Sequence, residues 1–290
     1  MSQLRSDFRF FHRMRVRWAE VDMQKIVFNA HYLMYFDTAM ADYWRALALP
    51  YEASMQHLGG DMYVKKATVE YHASARYDEQ LDIGLRCARV GTSSVLFEGA
   101  IFHGDALLVS TELVYVFADP ATQRAKPVPL ALREIFEHHA AGQPLVQLET
   151  GPWEPVQAPI SELRREVFVG EQGIATDLVW DAHDPGALHV LARNRLGQPV
   201  GSGRLLQEAP GVGRIGRMAV SRVLRGAHFG QAVLHALIAA AKARGDHVVV
   251  LHAQRSAEGF YTRCGFSARG PVFEEAGIAH IEMALDLGRP

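Results

Sequence analysis

The stretch from Gln147 to Pro159, QLETGPWEPVQAP, constrains this chain more than any other. Pro152, Pro155, Pro159 and Gly151 break it, and it has no periodicity, so it is expected to hold neither helix nor paired strand. Read as a linker (residues 147–159), it divides the 290 residues into two segments of ordinary domain size, 1–146 and 160–290. The segments differ in their order of elements and share no internal repeat, which predicts two unlike domains, each burying its own core.

Composition narrows the partners. With 49% apolar and 21% charged residues and a formal net charge of -2, the profile is that of a soluble globular protein, with no basic excess for nucleic acid and no membrane character. Cys87 and Cys264, one per segment, give no disulfide framework and no zinc-type spacing, which fits a reducing cytoplasm. The arginine-rich start lacks the apolar core and cleavage site of a secretory signal. From Arg13 it alternates with Met14, Val16 and Trp18, the pattern of a half-buried strand.

After that strand, NAHYLMYFDTAMADYWRALAL places Leu33, Phe36, Met40, Tyr43 and Leu47 on one face of a long helix. Four alternating runs follow: ATVEYHA, LDIGLRCARV, SVLFEGAIFHG and LLVSTELVYVFAD. This order predicts an α+β domain, an antiparallel sheet around a long central helix. Asp22 lies in the turn before the helix, with Asn29 at the N-cap position. A thioester carbonyl placed there would have its oxyanion stabilised by free N–H groups, with Asp22 as nucleophile or as base for water. The structural alternative is that Asp22 only ends a strand and faces the helix dipole. His31 and His72 lie close to this turn and His138 and His139 end a later helix, but they form no metal set.

The second segment reads as an α/β domain: a helix from Ser161, strands ALHVLARN, VGSGRLL and GRIGRMAV, a helix ending at Gly245, a strand HVVVLHA and a short helix from Ser256. The loop VLRGAHFGQAVL joins the third strand, ending near Val220, to the helix starting near Gly230. Its N–H groups and the helix dipole favour an anion; Gly226 and Gly230 allow close approach, and Arg225 adds a charged contact. The alternative is an ordinary glycine-bearing turn. Asp181, His183 and Asp184 in WDAHDPG form a turn near this second site.

EGFYTRCGF resembles the tyrosine-bearing helix of GNAT N-acetyltransferases, and RGAHFG is similar to that family's acyl-CoA pyrophosphate loop, Arg/Gln-x-x-Gly-x-Gly. The resemblance runs from about Pro159 to Leu287, with EVFVGEQGI and EAGIAHIEM similar to one subgroup. It implies acetyl-CoA along Arg217, Met218, Ala219 and Val220, its pyrophosphate on the N–H groups of Arg225, Gly226, Ala227, His228, Phe229 and Gly230. It further implies an unidentified amine acceptor and protonation of the departing thiolate by Tyr261; Glu171 is the candidate base. His228 replaces a glycine of the pattern, and either strains or crowds the loop or, protonated, pairs with a phosphate.

VRWAEVDMQKIVFNAHYLMYFD and VEYHASARYDEQLDI resemble hotdog-fold acyl-CoA thioesterases of the hydroxybenzoyl-CoA type, whose pattern is Asp-x-x-Gly-Ile/Val-Val before the central helix. The resemblance covers about Phe10 to Glu137, and Lys25 stands at the glycine position. It implies hydrolysis of an acyl- or aroyl-CoA through Asp22, with Asn29 at the ligand, and a homodimer or homotetramer with sites at the subunit interface. Together the two resemblances imply a cytoplasmic bifunctional enzyme using coenzyme A esters and no metal. The rival readings are a thioesterase fused to a CoA sensor, and a non-catalytic CoA-binding scaffold.

Overall fold

The computed structural model describes residues 3–288, and the chain divides into two compact units, Met1–Leu145 and Val146–Pro290. In the first, β1 (Phe10–Arg15) leads to α1 (Asn29–Ala46) and α2 (Tyr51–Leu58), then β2 (Asp61–Tyr71), β3 (Gln80–Val90), β4 (Ser94–His103), β5 (Ala106–Ala118) and α3 (Leu130–Ala140). The five strands form one antiparallel sheet in the order β1-β3-β4-β5-β2.

α1 buries Tyr32, Tyr35, Phe36, Ala39, Met40, Tyr43 and Trp44. The expected face is the buried one at Phe36, Met40, Tyr43 and Leu47; only Leu33, 43% exposed, falls outside it, and Tyr32, Tyr35 and Trp44 widen the stripe. Phe36 lies directly over β4, where a Cβ on Gly99 would come within 2.8 Å of its ring. Tyr43 meets Phe10 of β1 and Phe97 of β4 edge-on. Truncating such a buried ring costs about 3–5 kcal/mol, so Phe36→Ala would loosen α1 from the sheet.

The first strand ends at Arg15, not at Trp18, which instead opens a 3₁₀ turn, Trp18–Glu20. The buried Glu20 carboxylate accepts from the Arg17 N–H and from the Tyr35 hydroxyl at 2.7 Å each, and this pulls the chain out of the sheet.

In the second unit the expected linker is overturned. Val146–Gly151 forms strand β6, and Trp153–Arg164 forms helix α4, which continues as a π-helical turn over Arg165–Glu171. Pro152 is the N-cap of α4 and Pro155 falls in its first turn, where a missing N–H loses no helical bond; only Pro159 is internal. Burial of Trp153, Val156, Ile160 and Leu163 offsets that loss. The helix expected from Ser161 thus begins eight residues earlier.

α5 (Thr176–Val179), β7 (Leu188–Asn194), β8 (Pro199–Ala209), β9 (Val212–Val220), α6 (Phe229–Arg244), β10 (Val248–Gln254), α7 (Glu258–Arg263), β11 (Ser267–Glu275) and β12 (Ile278–Asp286) complete it. The sheet order is β11-β12-β10-β9-β8-β7-β6, antiparallel throughout except for the β9–β10 pair. Val233, Leu234, Leu237 and Ala241 bury one stripe of α6, which stops at the left-handed Gly245.

Candidate functional site

The second unit's cleft arises from an interrupted strand pair. β9 and β10 pair only from Val212↔Val248 to Ile215↔Leu251, although β9 runs on to Val220 and β10 to Gln254. At the break, the register of β9 against β8 shifts and Arg217 takes a positive φ of 52°, a bulge that turns the strand away from its neighbour. A cleft of about 1430 Å³ opens there, lined among others by Met218, Val220, Arg225, Gly226, His228 and Tyr261.

The loop after β9 folds as the glycine pattern would require. Gly226 has φ 89° and His228, the N-cap of α6, has φ 65° and ψ 6°. The histidine therefore keeps the left-handed turn, at about 1–2 kcal/mol of strain. Gly230 lets α6 close on β9, since a Cβ there would meet Val220 at 3.3 Å. The first helical N–H groups, from Phe229 to Gln231, have no carbonyl partner in the preceding turn; the first such bond is Ala232 N–H to the His228 carbonyl, 3.1 Å. Phe229 and Gly230 line the cleft as well. The side chain of Ala219 instead packs with Leu163, Val167 and Val179, and Ala227 donates its N–H back to the Leu224 carbonyl at 3.4 Å.

Arg225 is already engaged. Its two terminal nitrogens donate to both Glu171 oxygens at 2.6 Å, and Nε donates to the Val220 carbonyl at 3.2 Å. The hydrogen bonds and charge of Arg225 hold the Glu171 carboxyl below the usual carboxylate range despite some desolvation, which makes it a weak base in this arrangement. Tyr261 is 8% exposed; burial, with a small contribution from Cys264, pushes its phenol up to about 12. It stays protonated at neutral pH, as a proton donor must.

Asp181 and Asp184 from the WDAHDPG turn belong to an ion network beside the cleft. The fully buried Arg164 of α4 donates to both Asp184 oxygens (2.8 and 3.1 Å), and Arg204 of β8 bridges Asp184 (2.8 Å) and Asp181 (2.7 Å). Arg217 adds a contact to Asp181 at 3.0 Å. Burial pushes both carboxyls up, but hydrogen bonds and charges from the arginines outweigh it and hold them below their ordinary values. Sequence reading passed over Arg164, Arg204, His252 and Glu275; pairings between residues so far apart leave no local pattern to detect.

In the first unit, Val21 and Val27 bridge to form a tight hairpin whose tip contains Asp22. The Asp22 N–H donates to the Ile26 carbonyl and its carbonyl accepts from Lys25, each at 2.9 Å, while its carboxylate accepts from the Gln24 N–H at 2.8 Å. Lys25 takes φ 61°, so here too the side chain at the glycine position preserves the turn. Asn29 is the first residue of α1 and not its cap. Phe28 is the N-cap, without a side-chain cap bond, because backbone bonds from Val27 to Ala75 and from Phe28 to Glu20 already fix the entry of the chain. Large apolar side chains on the neighbouring segments stand in solvent: Met23 is 100% exposed, Trp18 75%, Met34 55% and Phe28 49%.

Two family models match the two units: the thioesterase-like superfamily over residues 16–136, and the acetyltransferase (GNAT) domain over residues 162–287. The acyl-CoA thioester hydrolase YbgC of Escherichia coli O6:H1 is 27% identical over 124 residues, 42% of this chain and 92% of that protein. The uncharacterized N-acetyltransferase YjcF of Bacillus subtilis (strain 168) is 32% identical over 125 residues, 43% of this chain and 88% of that protein. Both matched classes are enzyme superfamilies. The chain is a fusion of a thioesterase-like domain of the hotdog superfamily with a GNAT acetyltransferase domain. Among the described residues, no helix is long and apolar enough to cross a membrane.

Proposed function

We propose that the first unit hydrolyses an acyl- or aroyl-CoA and that the second transfers an acetyl group from acetyl-CoA to an amine. The observation that carries this is common to both units: an acid–base side chain close in the fold to a helix N-terminus. In the first, the Asp22 turn leads into α1; in the second, Tyr261 shares the cleft with the start of α6.

In the thioesterase unit the sheet curls around α1. The thioester carbonyl lies at the α1 N-terminus beside Asn29, and Asp22 attacks it or activates water. In the acetyltransferase unit the pantetheine arm lies against residues 217–220, where β9 has parted from β10. The pyrophosphate sits on the N–H groups of Gly226 and of His228 to Gly230, beside the Arg225–Glu171 pair, and Tyr261 protonates the departing sulfur. The exposed Trp18, Met23 and Phe28 fit a homodimer in which a second copy covers the Asp22 surface. With both cysteines free, the assignment to the cytoplasm suits a chain that uses soluble coenzyme A esters.

The deciding experiment measures thiol release from acetyl-, long-chain acyl- and benzoyl-CoA without amine, comparing wild type with Asp22→Asn. Release that collapses in the variant supports the hydrolase and names its acyl class; equal release from both proteins sinks it. For the second unit, Tyr261→Phe should retain acetyl-CoA binding and lose amide formation. Binding without amide formation by the wild type itself would instead identify a CoA sensor.

A further inference from the structure

Resting on the acetyl-transfer reading, we propose that His252, oriented by Glu275, is the base that takes the proton from the acceptor amine, and that the acceptor enters from the sheet face opposite α6. β10 sorts its side chains by face. Val249, Leu251 and Ala253 belong to the core that α6, Tyr261 and Phe266 cover, so His252 and Gln254 project from the other face. Gln254 confirms the direction, because its amide donates at 3.1 Å to Gln172, which follows the π-helical turn.

His252 lines the cleft and is about a quarter exposed, with a side-chain value of 27%. Its Nδ1 lies 2.9 Å from Oε2 of Glu275, the last residue of β11. A carboxylate accepts only, so Nδ1 donates and Nε2 carries the free lone pair. Phe273 packs edge-on against the imidazole, with ring centroids 4.8 Å apart. A carboxylate fixes the tautomer, an aromatic ring fixes the plane, and the remaining nitrogen is left to a ligand; this is the arrangement of a base held by an orienting partner. Glu171 cannot compete for that role while both its oxygens hold Arg225. Glu275 acts through His252 and is a positioning residue.

In the reaction, His252 Nε2 takes a proton from the ammonium form of the acceptor, and the freed lone pair forms the C–N bond to the acetyl carbon. The C–S electron pair leaves with sulfur, which takes the Tyr261 proton, and the second nitrogen proton, acidified by acylation, passes to the Tyr261 oxygen. The proton held by His252 is the one released to solvent in each turnover. The two substrates thus meet where β9 and β10 diverge, one from each face.

Two probe acceptors separate a base from a structural residue. Ethylamine is protonated at neutral pH and must lose a proton, whereas hydroxylamine is already the free base. With acetyl-CoA, His252→Gln should lose about 10²–10⁴-fold in rate on ethylamine, with the hydroxylamine rate and the acetyl-CoA Kd unchanged. Glu275→Gln should show a smaller loss on ethylamine alone. Equal losses on both probes, or none, would overturn the proposal. If the wild type binds acetyl-CoA and acetylates neither probe, it is the transfer reading that fails. Should the variants not fold, nitrogen NMR of the wild type still decides: His252 protonated at Nδ1 supports the assignment, and protonation at Nε2 alone refutes it.

Discussion

Tyr261 and Asp22 are both placed beside the start of a helix, yet their surroundings are opposite. Tyr261 is 8% exposed in a cleft that its own unit encloses, next to a network in which Arg164, Asp184, Arg204 and Asp181 are bound to one another. Asp22 occupies a hairpin tip next to Met23, which is wholly exposed, and close in sequence to Trp18 and Phe28. A cleft made by parting two strands needs no second chain. An aspartate among uncovered apolar side chains leaves a surface that a second chain can cover, which is why the proposed dimer concerns the first unit and not the second.

The largest expected effect tests whether the two chemistries are separate. Asp22→Asn should lower thiol release by about 10²–10⁴-fold and leave calorimetric titration of acetyl-CoA into the second unit unchanged; loss of both would show that the two activities are coupled. Next comes Asp184→Asn, which leaves buried guanidinium groups uncompensated and should destabilise the second unit by about 3–5 kcal/mol. Scanning calorimetry should show one transition fall while the other stays, and a common shift would show that the units unfold together.

Acidity sharpens the same contrast. Asp181 and Asp184 have folded pKa values below their unfolded ones, so their contribution is complete above the ordinary aspartate value of about 3.9 and is lost as pH falls through the lower, folded values. The second unit's melting temperature should fall in that acid window, and Asp184→Asn should flatten the dependence. The smallest effects belong to Lys25→Gly and His228→Gly. Each relieves about 1–2 kcal/mol of left-handed strain and gives back about 0.5–1 kcal/mol in chain entropy, for a net gain of roughly 1 kcal/mol or less in urea midpoints. A loss at either position would mean that the side chain makes a contact outweighing its backbone strain.

Periodicity carried much of the fold. The strand in LDIGLRCARV and the stop of α6 at Gly245 depend on neighbours in sequence, and both are where expected. The stretch at 147–159 misled because the cost of a proline depends on its place in a helix, and that place is set by a helix start fixed through the burial of Trp153 and Val156. The end of β1 was hidden in the Glu20–Tyr35 bond. At the sites, glycine-loop spacing pointed to the turns of Lys25 and His228. The clasp between Arg225 and Glu171 spans 54 positions, and the ion network and the His252–Glu275 pair also join distant residues, so each exists only once the sheet is registered.

The short pairing between β9 and β10 also bears on how the second unit is assembled in time. On one side of it β6 to β9 form a run of antiparallel neighbours in sequence order; on the other, β11 and β12 form a hairpin that docks on β10. Each half can zip from contacts between nearby residues, whereas the parallel join from Val212 to Ile215 must wait for α6 to span the gap. That join has the fewest paired residues of any in the seven-stranded sheet, which makes it the seam expected to yield first under a pulling force.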